Sequence, residues 1–271
     1  MAKSNLAQRV LAAAVFGPVL LALFWLGGYW LFVVWCGVVA VGAWEFYRML
    51  AQKGLQPWTM FGIVAVLTWC GFAFTAGLSV FPSFFSILLL VGLAGAFFIG
   101  QPGYRLLNAG GMLLGVFYVG FLGSFVLLVR NTSAIDASQQ GIFAVLILVA
   151  IWASDVMAYF SGRWFGRRHP FPTISPGKTE AGFIGGFVAA LLVMVLGAQQ
   201  LSLCDLNQSI FLGVLVGFGA PLGDLVESMI KRDMDVKDTS QLIPGHGGVL
   251  DRFDSVFFVF PLIYLYLSIG F

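Results

Sequence analysis

Residues 106–129 read LLNAGGMLLGVFYVGFLGSFVLLV, a run without a single charge, bracketed by Arg105 and Arg130. Crossing the hydrocarbon core of a bilayer takes about 20 apolar residues as a helix. A backbone in lipid must satisfy its own hydrogen bonds, so helix is the default for so long a run. The stretch therefore predicts a membrane-spanning helix with a basic residue at each end.

Working outward, the same reading gives about nine such segments: 10–26, 28–44, 59–78, 80–99, 106–129, 141–160, 182–201, 210–230 and 256–271. The composition agrees: 60% of the 271 residues are hydrophobic and 10% charged, where a soluble domain carries roughly 25% charged residues. So few charges cannot cover a surface in water, and the bilayer is the expected solvent. The net charge of +2 argues against a nucleic-acid partner. Cys36, Cys70 and Cys204 have no CxxC spacing and read as small hydrophobes rather than a disulfide or zinc framework. Lys3 and Arg9 precede the first apolar run as in a signal peptide, but apolar character resumes after Gly27-Gly28, which predicts a retained helix.

The basic residues orient this threading. With the N-terminus in the cytoplasm, alternation places 13 of the 14 Lys and Arg residues on the cytoplasmic side and leaves only Arg130 outside, a positive-inside pattern. The expected fold is an all-α polytopic membrane protein of about nine helices, N-terminus cytoplasmic and C-terminus outside. A single membrane domain, 1–271, is expected to divide into N-terminal packing helices (1–140) and a catalytic half (141–271) with cytoplasmic loops 161–181 and 231–255. Glu45 is the only acid before Asp136. Gly92–Ala96 and Gly111–Gly115 have small-xxx-small spacing, which reads as helix packing; a homodimer face is the alternative.

The chemistry gathers in the C-terminal third. Asp224 and Glu227 fall at the end of the eighth segment, and their i, i+3 spacing puts both carboxylates on one helical face. Ser228 and Lys231 continue that face. Asp251 and Asp254 repeat the spacing as the last helix begins. Two such pairs flanking a short loop suit a hard cation such as magnesium, which takes a few carboxylates plus substrate phosphates. Lys231, Arg232, Lys237, Arg252 and His246 are interleaved, and the glycines of Pro244-Gly245-His246-Gly247-Gly248 let a backbone approach phosphate closely. Asp155 lies within the sixth segment, where an acid is a functional hypothesis by default. Gly177-Lys178-Thr179 lacks the earlier glycine of a P-loop, since position 172 is Pro172. Lys178 with Ser175 and Thr179 still forms a phosphate-binding turn ahead of a helix N-terminus. His169 and Trp164 read as membrane-interface residues.

The pattern Ser228-x-x-Lys231-Arg232, Lys237-Asp238, Pro244-Gly245-His246-Gly247-Gly248, Asp251-Arg252-Phe253-Asp254 resembles the long signature of the phosphatidate cytidylyltransferases, or CDP-diacylglycerol synthases. Asp155-x-x-Ala158-Tyr159-x-x-Gly162 and Ser175-Pro176-x-Lys178-Thr179 are similar to further stretches of that family. One position departs: the family's pattern runs threonine-x-Glu-Gly, and here Ala181 takes the glutamate's place, with Glu180 one position earlier.

The resemblance implies transfer of a cytidylyl group from CTP to phosphatidate, giving CDP-diacylglycerol and pyrophosphate, at the cytoplasmic face of the cell (inner) membrane. It implies a divalent cation, Mg2+ or another, held by Asp224, Asp251 and Asp254 with Glu227 nearby. Asp155 either joins that site or orients a basic partner. Lys231, Arg232, Lys237 and Arg252 neutralise phosphates, and Lys178 and Ser175 hold the CTP phosphates or the phosphatidate head. Thr179, Ser228, His246, Gly247 and Gly248 complete the expected substrate contacts, and membrane lipids surround the chain. The alternatives are a CTP-dependent lipid kinase, using the same nucleotide but moving its γ-phosphate, and an ion or solute transporter, which would need polar lining through both membrane halves.

Overall fold

The computed structural model describes residues 2–98, 102–242 and 247–270, with side chains for 14–98, 102–242 and 247–269. Among these residues the chain forms nine helices and no strand: α1 (Ala2–Leu26), α2 (Gly28–Gln52), α3 (Thr59–Ala76), α4 (Phe81–Phe98), α5 (Arg105–Arg130), α6 (Gln140–Phe165), α7 (Glu180–Gln200), α8 (Leu206–Asp233) and α9 (Leu250–Gly270). Eight are long and apolar enough to cross a membrane, and α1 adds a shorter apolar stretch, Ala14–Leu26. This is an integral membrane protein built wholly of helices. All three cysteines are free.

Helices outrun their apolar cores where caps allow it. The second apolar segment ends at position 44, but α2 continues to Gln52 and so carries Glu45 and Arg48. Likewise α8 runs on through Lys231 and Arg232. Its start is fixed by a capping box, in which Asp205 Oδ1 accepts from the Gln208 amide at 2.8 Å and Gln208 Oε1 accepts from the Asp205 amide at 3.0 Å. Hydrophobic length marks where lipid ends; caps mark where the helix ends.

Inside the bundle, α6, α7, α8 and α9 pack each on the next, and α9 also lies against α5. Without a hydrophobic driving force between helices in lipid, contact rests on small residues. On α8 these form two faces. A Cβ on Gly217 would meet Phe187 of α7, while a Cβ on Gly223 would stand 2.5 Å from the Asp254 carbonyl and 2.9 Å from Ser255 Cα of α9. The two pairs noticed in the sequence also pack within the chain, Gly92 against Met112 and Gly115 against Tyr47. Three buried aromatics close the polar tips this arrangement leaves: Trp35 Nε1 donates to Gly123 O (2.8 Å), Tyr47 Oη to Met112 O (2.9 Å) and Trp69 Nε1 to Ser124 Oγ (2.9 Å).

The outside of the bundle is apolar. Ile87, Leu90, Phe97, Ile184 and Leu196 are all exposed, as suits lipid. Aromatic rims mark the ends, with Trp25, Tyr29 and Trp30 exposed around the α1–α2 turn and Tyr159 and Trp164 at the end of α6. That tight turn has Gly27 at φ 64 and Gly28 at φ 56, a conformation glycine adopts without penalty. Arg130 is folded over it. Its guanidinium donates to the last carbonyls of α1, Phe24 (2.9 Å), Trp25 (2.8 Å) and Leu26 (3.2 Å), satisfying acceptors that have no partner within α1.

Candidate active site

Three carboxylates converge where α8 meets α9. Asp224 and Glu227 project from one face of α8, and Asp254 comes from the first turns of α9; one oxygen of each lies within 4.8 Å of the others. The approach of the two helices at Gly223 makes this possible. Glu227 is 1% exposed and Asp254 9%. Burying anions so close together is costly unless cations or strong donors join them.

Two lysines do so. Lys178, brought in by the loop before α7, sits 2.7 Å from Asp224 Oδ2, close but too poorly aligned for a hydrogen bond, so the ammonium keeps donors for another anion. Lys231 lies 2.7 Å from Glu227 Oε2 and 2.7 Å from Asp251 Oδ1. Ser228 Oγ donates to Asp224 Oδ1 at 3.3 Å, and the Ser255 amide to Asp254 Oδ1 at 2.7 Å. Glu227 Oε1 is buried and accepts no hydrogen bond from any described residue. With an undonated oxygen on Glu227 and two further carboxylates beside that residue, the three acids could hold a metal ion.

Asp251 does not join them, contrary to the reading that placed it with Asp224 and Asp254. Its Oδ1 is held by Lys231, and its Oδ2 accepts from the Thr239 amide (3.0 Å), Thr239 Oγ1 (2.8 Å) and the Gly248 amide (2.8 Å). Oδ2 is committed to fixing the loop that leads into α9, and Oδ1 ties it to Lys231 on α8. A further acid takes part in holding that loop: Glu45 of α2, 0% exposed, accepts from Ser240, Thr239, Val249 and Leu250.

The carboxylates line a cavity of about 790 Å³ shared by α6, α7, α8 and α9. Asp155, Lys178, Thr179, Lys231, Asp251 and Arg252 line it too. Asp155 stands on the α6 wall, outside the three-carboxylate group. Thr179 also caps α7, its hydroxyl accepting from the Gly182 amide at 3.1 Å. Ser175, Ser228, Arg232, Lys237, Gly247 and Gly248 do not line this cavity. For Arg232 the reason is helical geometry. Consecutive residues point about 100° apart, so with Lys231 turned to the acids, Arg232 turns away and donates to Ile174 O and Val236 O at 3.3 Å each. Lys237 lines a neighbouring cavity of about 680 Å³ with Trp44 and Arg48. At Gly247 (φ +82) an added Cβ would lie 2.9 Å from Asp251 Oδ2. His246, Pro244 and Gly245 lie outside the described residues.

Tyr159, Arg163 and His169 also stand on the wall; the sequence reading notes Tyr159 only in the Asp155 motif and His169 only as an interface residue, and does not single out Arg163. Arg163 Nη1 donates to Tyr159 Oη at 2.9 Å. Their i, i+4 spacing is visible in the sequence, but it also suits an interface rim, and only the fold turns that rim inward. Glu180 does not replace the carboxylate missing at Ala181. It lies off the cavity, 4.0 Å from Arg168 on the surface.

Buried acids able to hold a cation, lysines with donors to spare and an apolar bundle around them suit phosphate esters that carry lipid tails. The relatives point the same way. The chain is 33% identical to a phosphatidate cytidylyltransferase of Synechocystis, over 96% of each chain. It is 35% identical to the one of Haemophilus influenzae, over 97% of this chain and 99% of that one. It is 32% identical to the one of Bacillus subtilis, over 86% and 87%. The family model described as "Cytidylyltransferase family" matches residues 7–270, and the chain belongs to that family.

Proposed function

We propose that the protein transfers the cytidylyl group of CTP to phosphatidate, releasing pyrophosphate and leaving CDP-diacylglycerol in the membrane. The observation that carries this is the trio Asp224, Glu227 and Asp254, with Lys178 and Lys231 against it, in a cavity whose helices are lipid-facing on their outer sides. Relatives named phosphatidate cytidylyltransferase support the same pair of substrates.

An oxygen of the phosphatidate phosphate attacks the α-phosphorus of CTP. A new P–O bond forms there as the bond from that phosphorus to the bridging oxygen of pyrophosphate breaks. The attacking oxygen is already anionic, so no base is needed to activate it and no covalent enzyme intermediate is required. Catalysis then consists of positioning and of holding negative charge. Lys178, with donors left over from its contact with Asp224, is placed to bind phosphate oxygens. Lys231 keeps Glu227 in place. Arg163, His169 and Arg252 add basic groups along the wall. Asp224, Glu227 and Asp254 would hold a divalent cation, Mg2+ by the hardness of the donors, which supplies charge neutralisation on the transferring phosphates.

The topology that fits is N-terminus in the cytoplasm of the cell (inner) membrane, the cavity opening on that side, supported by 13 of 14 basic residues falling there under alternation. The deciding experiment incubates detergent-purified protein with phosphatidate, magnesium and CTP labelled at either the α- or the γ-phosphate. The α-label is expected in lipid and the γ-label in pyrophosphate. A γ-label in lipid would instead establish a kinase.

A further inference from the structure

Glu45 is the only acid ahead of Asp136, it sits on α2, and it is fully buried. A carboxylate in such surroundings persists only with strong donors around it. All of those found lie about two hundred residues later in the chain. Oε1 accepts from Ser240 Oγ (2.5 Å) and the Val249 amide (2.9 Å); Oε2 accepts from the Leu250 amide (2.7 Å) and Thr239 Oγ1 (3.2 Å). The Val249 and Leu250 amides open α9, where N–H groups have no partner within the helix. Helix α2 thus supplies the N-cap of α9, and the positive end of α9 favours the anion.

The contacts continue to the site without a break. The Thr239 hydroxyl shares its one hydrogen between Glu45 Oε2 (3.2 Å) and Asp251 Oδ2 (2.8 Å), Asp251 bonds Lys231, and Lys231 bonds Glu227. Gly248 is wedged into the same knot. A Cβ there would stand 2.6 and 2.7 Å from the two Glu45 oxygens.

We propose that Glu45 is a positioning residue of the active site. It does not line the cavity. It fixes the first turn of α9, so that Asp254 faces Asp224 and Glu227, and it steadies Glu227 through Thr239, Asp251 and Lys231. This rests on reading those three carboxylates as a cation site. Each Glu45 oxygen faces one backbone amide that can only donate, so Glu45→Gln turns an NH2 group onto the Val249 or the Leu250 N–H whichever way the amide lies. Glu45→Asp keeps the acceptors but withdraws them by one methylene.

The test is Mn2+ binding to the full chain in detergent, followed by electron paramagnetic resonance, with thermal unfolding and CDP-lipid formation measured on the same samples. Wild type binds Mn2+ and Asp254→Asn does not; if wild type binds none, the cation reading fails and this proposal with it. Glu45→Gln is expected to weaken Mn2+ binding by about 10–100-fold, the range for groups behind metal ligands. It should raise the magnesium needed for half-maximal rate by the same factor. The KM for CTP at saturating magnesium stays within about twofold, a split that general loosening would not give. Glu45→Asp should recover part of the loss. Thr239→Val, nearly the same shape, should weaken Mn2+ binding as well, and the double variant should lose less than the product of the two. Wild-type Mn2+ affinity in folded Glu45→Gln would overturn the proposal. Should Glu45→Gln not fold, wild-type affinity in Thr239→Val would overturn it instead.

Discussion

Around Lys231 and Lys178 four carboxylates meet two ammonium groups: Asp224, Glu227, Asp251 and, completing the trio, Asp254. The formal imbalance is two negative charges, which one divalent cation would match. Asp254→Asn and Glu227→Gln remove donors from that trio. Each is expected to lower CDP-lipid formation more than about 100-fold at limiting magnesium, beyond the 10–100-fold usual for groups behind the ligands. Glu180→Gln is the counterpart. Its carboxylate is half-exposed and 4.0 Å from an exposed Arg168, a contact worth little in water, so the rate should stay within about twofold in the same assay. The acids of α8 and α9 were legible because charge at the end of an apolar run needs a reason and i, i+3 spacing gives a shared face. The separate duty of Asp251 was not. Spacing cannot show that a loop will offer two amides and a threonine hydroxyl to one oxygen.

Helix ends carry the second set of consequences. Arg130 was the lone basic residue outside the positive-inside pattern, and its three bonds to the last carbonyls of α1 explain it as a C-cap made by another helix. Arg130→Ala removes the three bonds; the Trp25 and Leu26 carbonyls are exposed and turn to water, so the cost is about 0.5–1.5 kcal/mol. Thermal unfolding in detergent should detect that loss, while kcat per folded molecule stays unchanged, because the cap is remote from the cavity. Gly223→Val is expected to do the reverse of a clean stability change. Its side chain must displace the Asp254 carbonyl and Ser255 Cα, so α8 and α9 separate at the site. Activity should fall at least about tenfold even in protein that stays folded, as measured by rate and unfolding temperature on one sample. Hydropathy revealed where the helices run and roughly how many there are. It could not reveal which glycines form interhelical contacts, because glycine is frequent throughout (34 residues) and only the packing distinguishes Gly223 from its neighbours.

At the scale of the molecule, the orientation expected from the charge pattern is open to a direct check. In a background without the native cysteines, Asp136→Cys and Arg168→Cys place exposed thiols on the α5–α6 and α6–α7 connections. A membrane-impermeant thiol reagent added to intact spheroplasts should label position 136, and position 168 only after the membrane is broken. The opposite pattern would invert the threading. The expected split into a packing half and a catalytic half blurs here, since Glu45 reaches from α2 to the loop before α9. That contact also orders events in time. A chain emerging from the ribosome makes α2 well before α9, so while the helices between them are made Glu45 waits for donors that do not yet exist. A nascent chain short of Leu250 lacks the helix start that Glu45 caps and the Asp254 that α9 delivers. The three-carboxylate group therefore cannot assemble before α9 is made, and the arrival of that helix switches the site on.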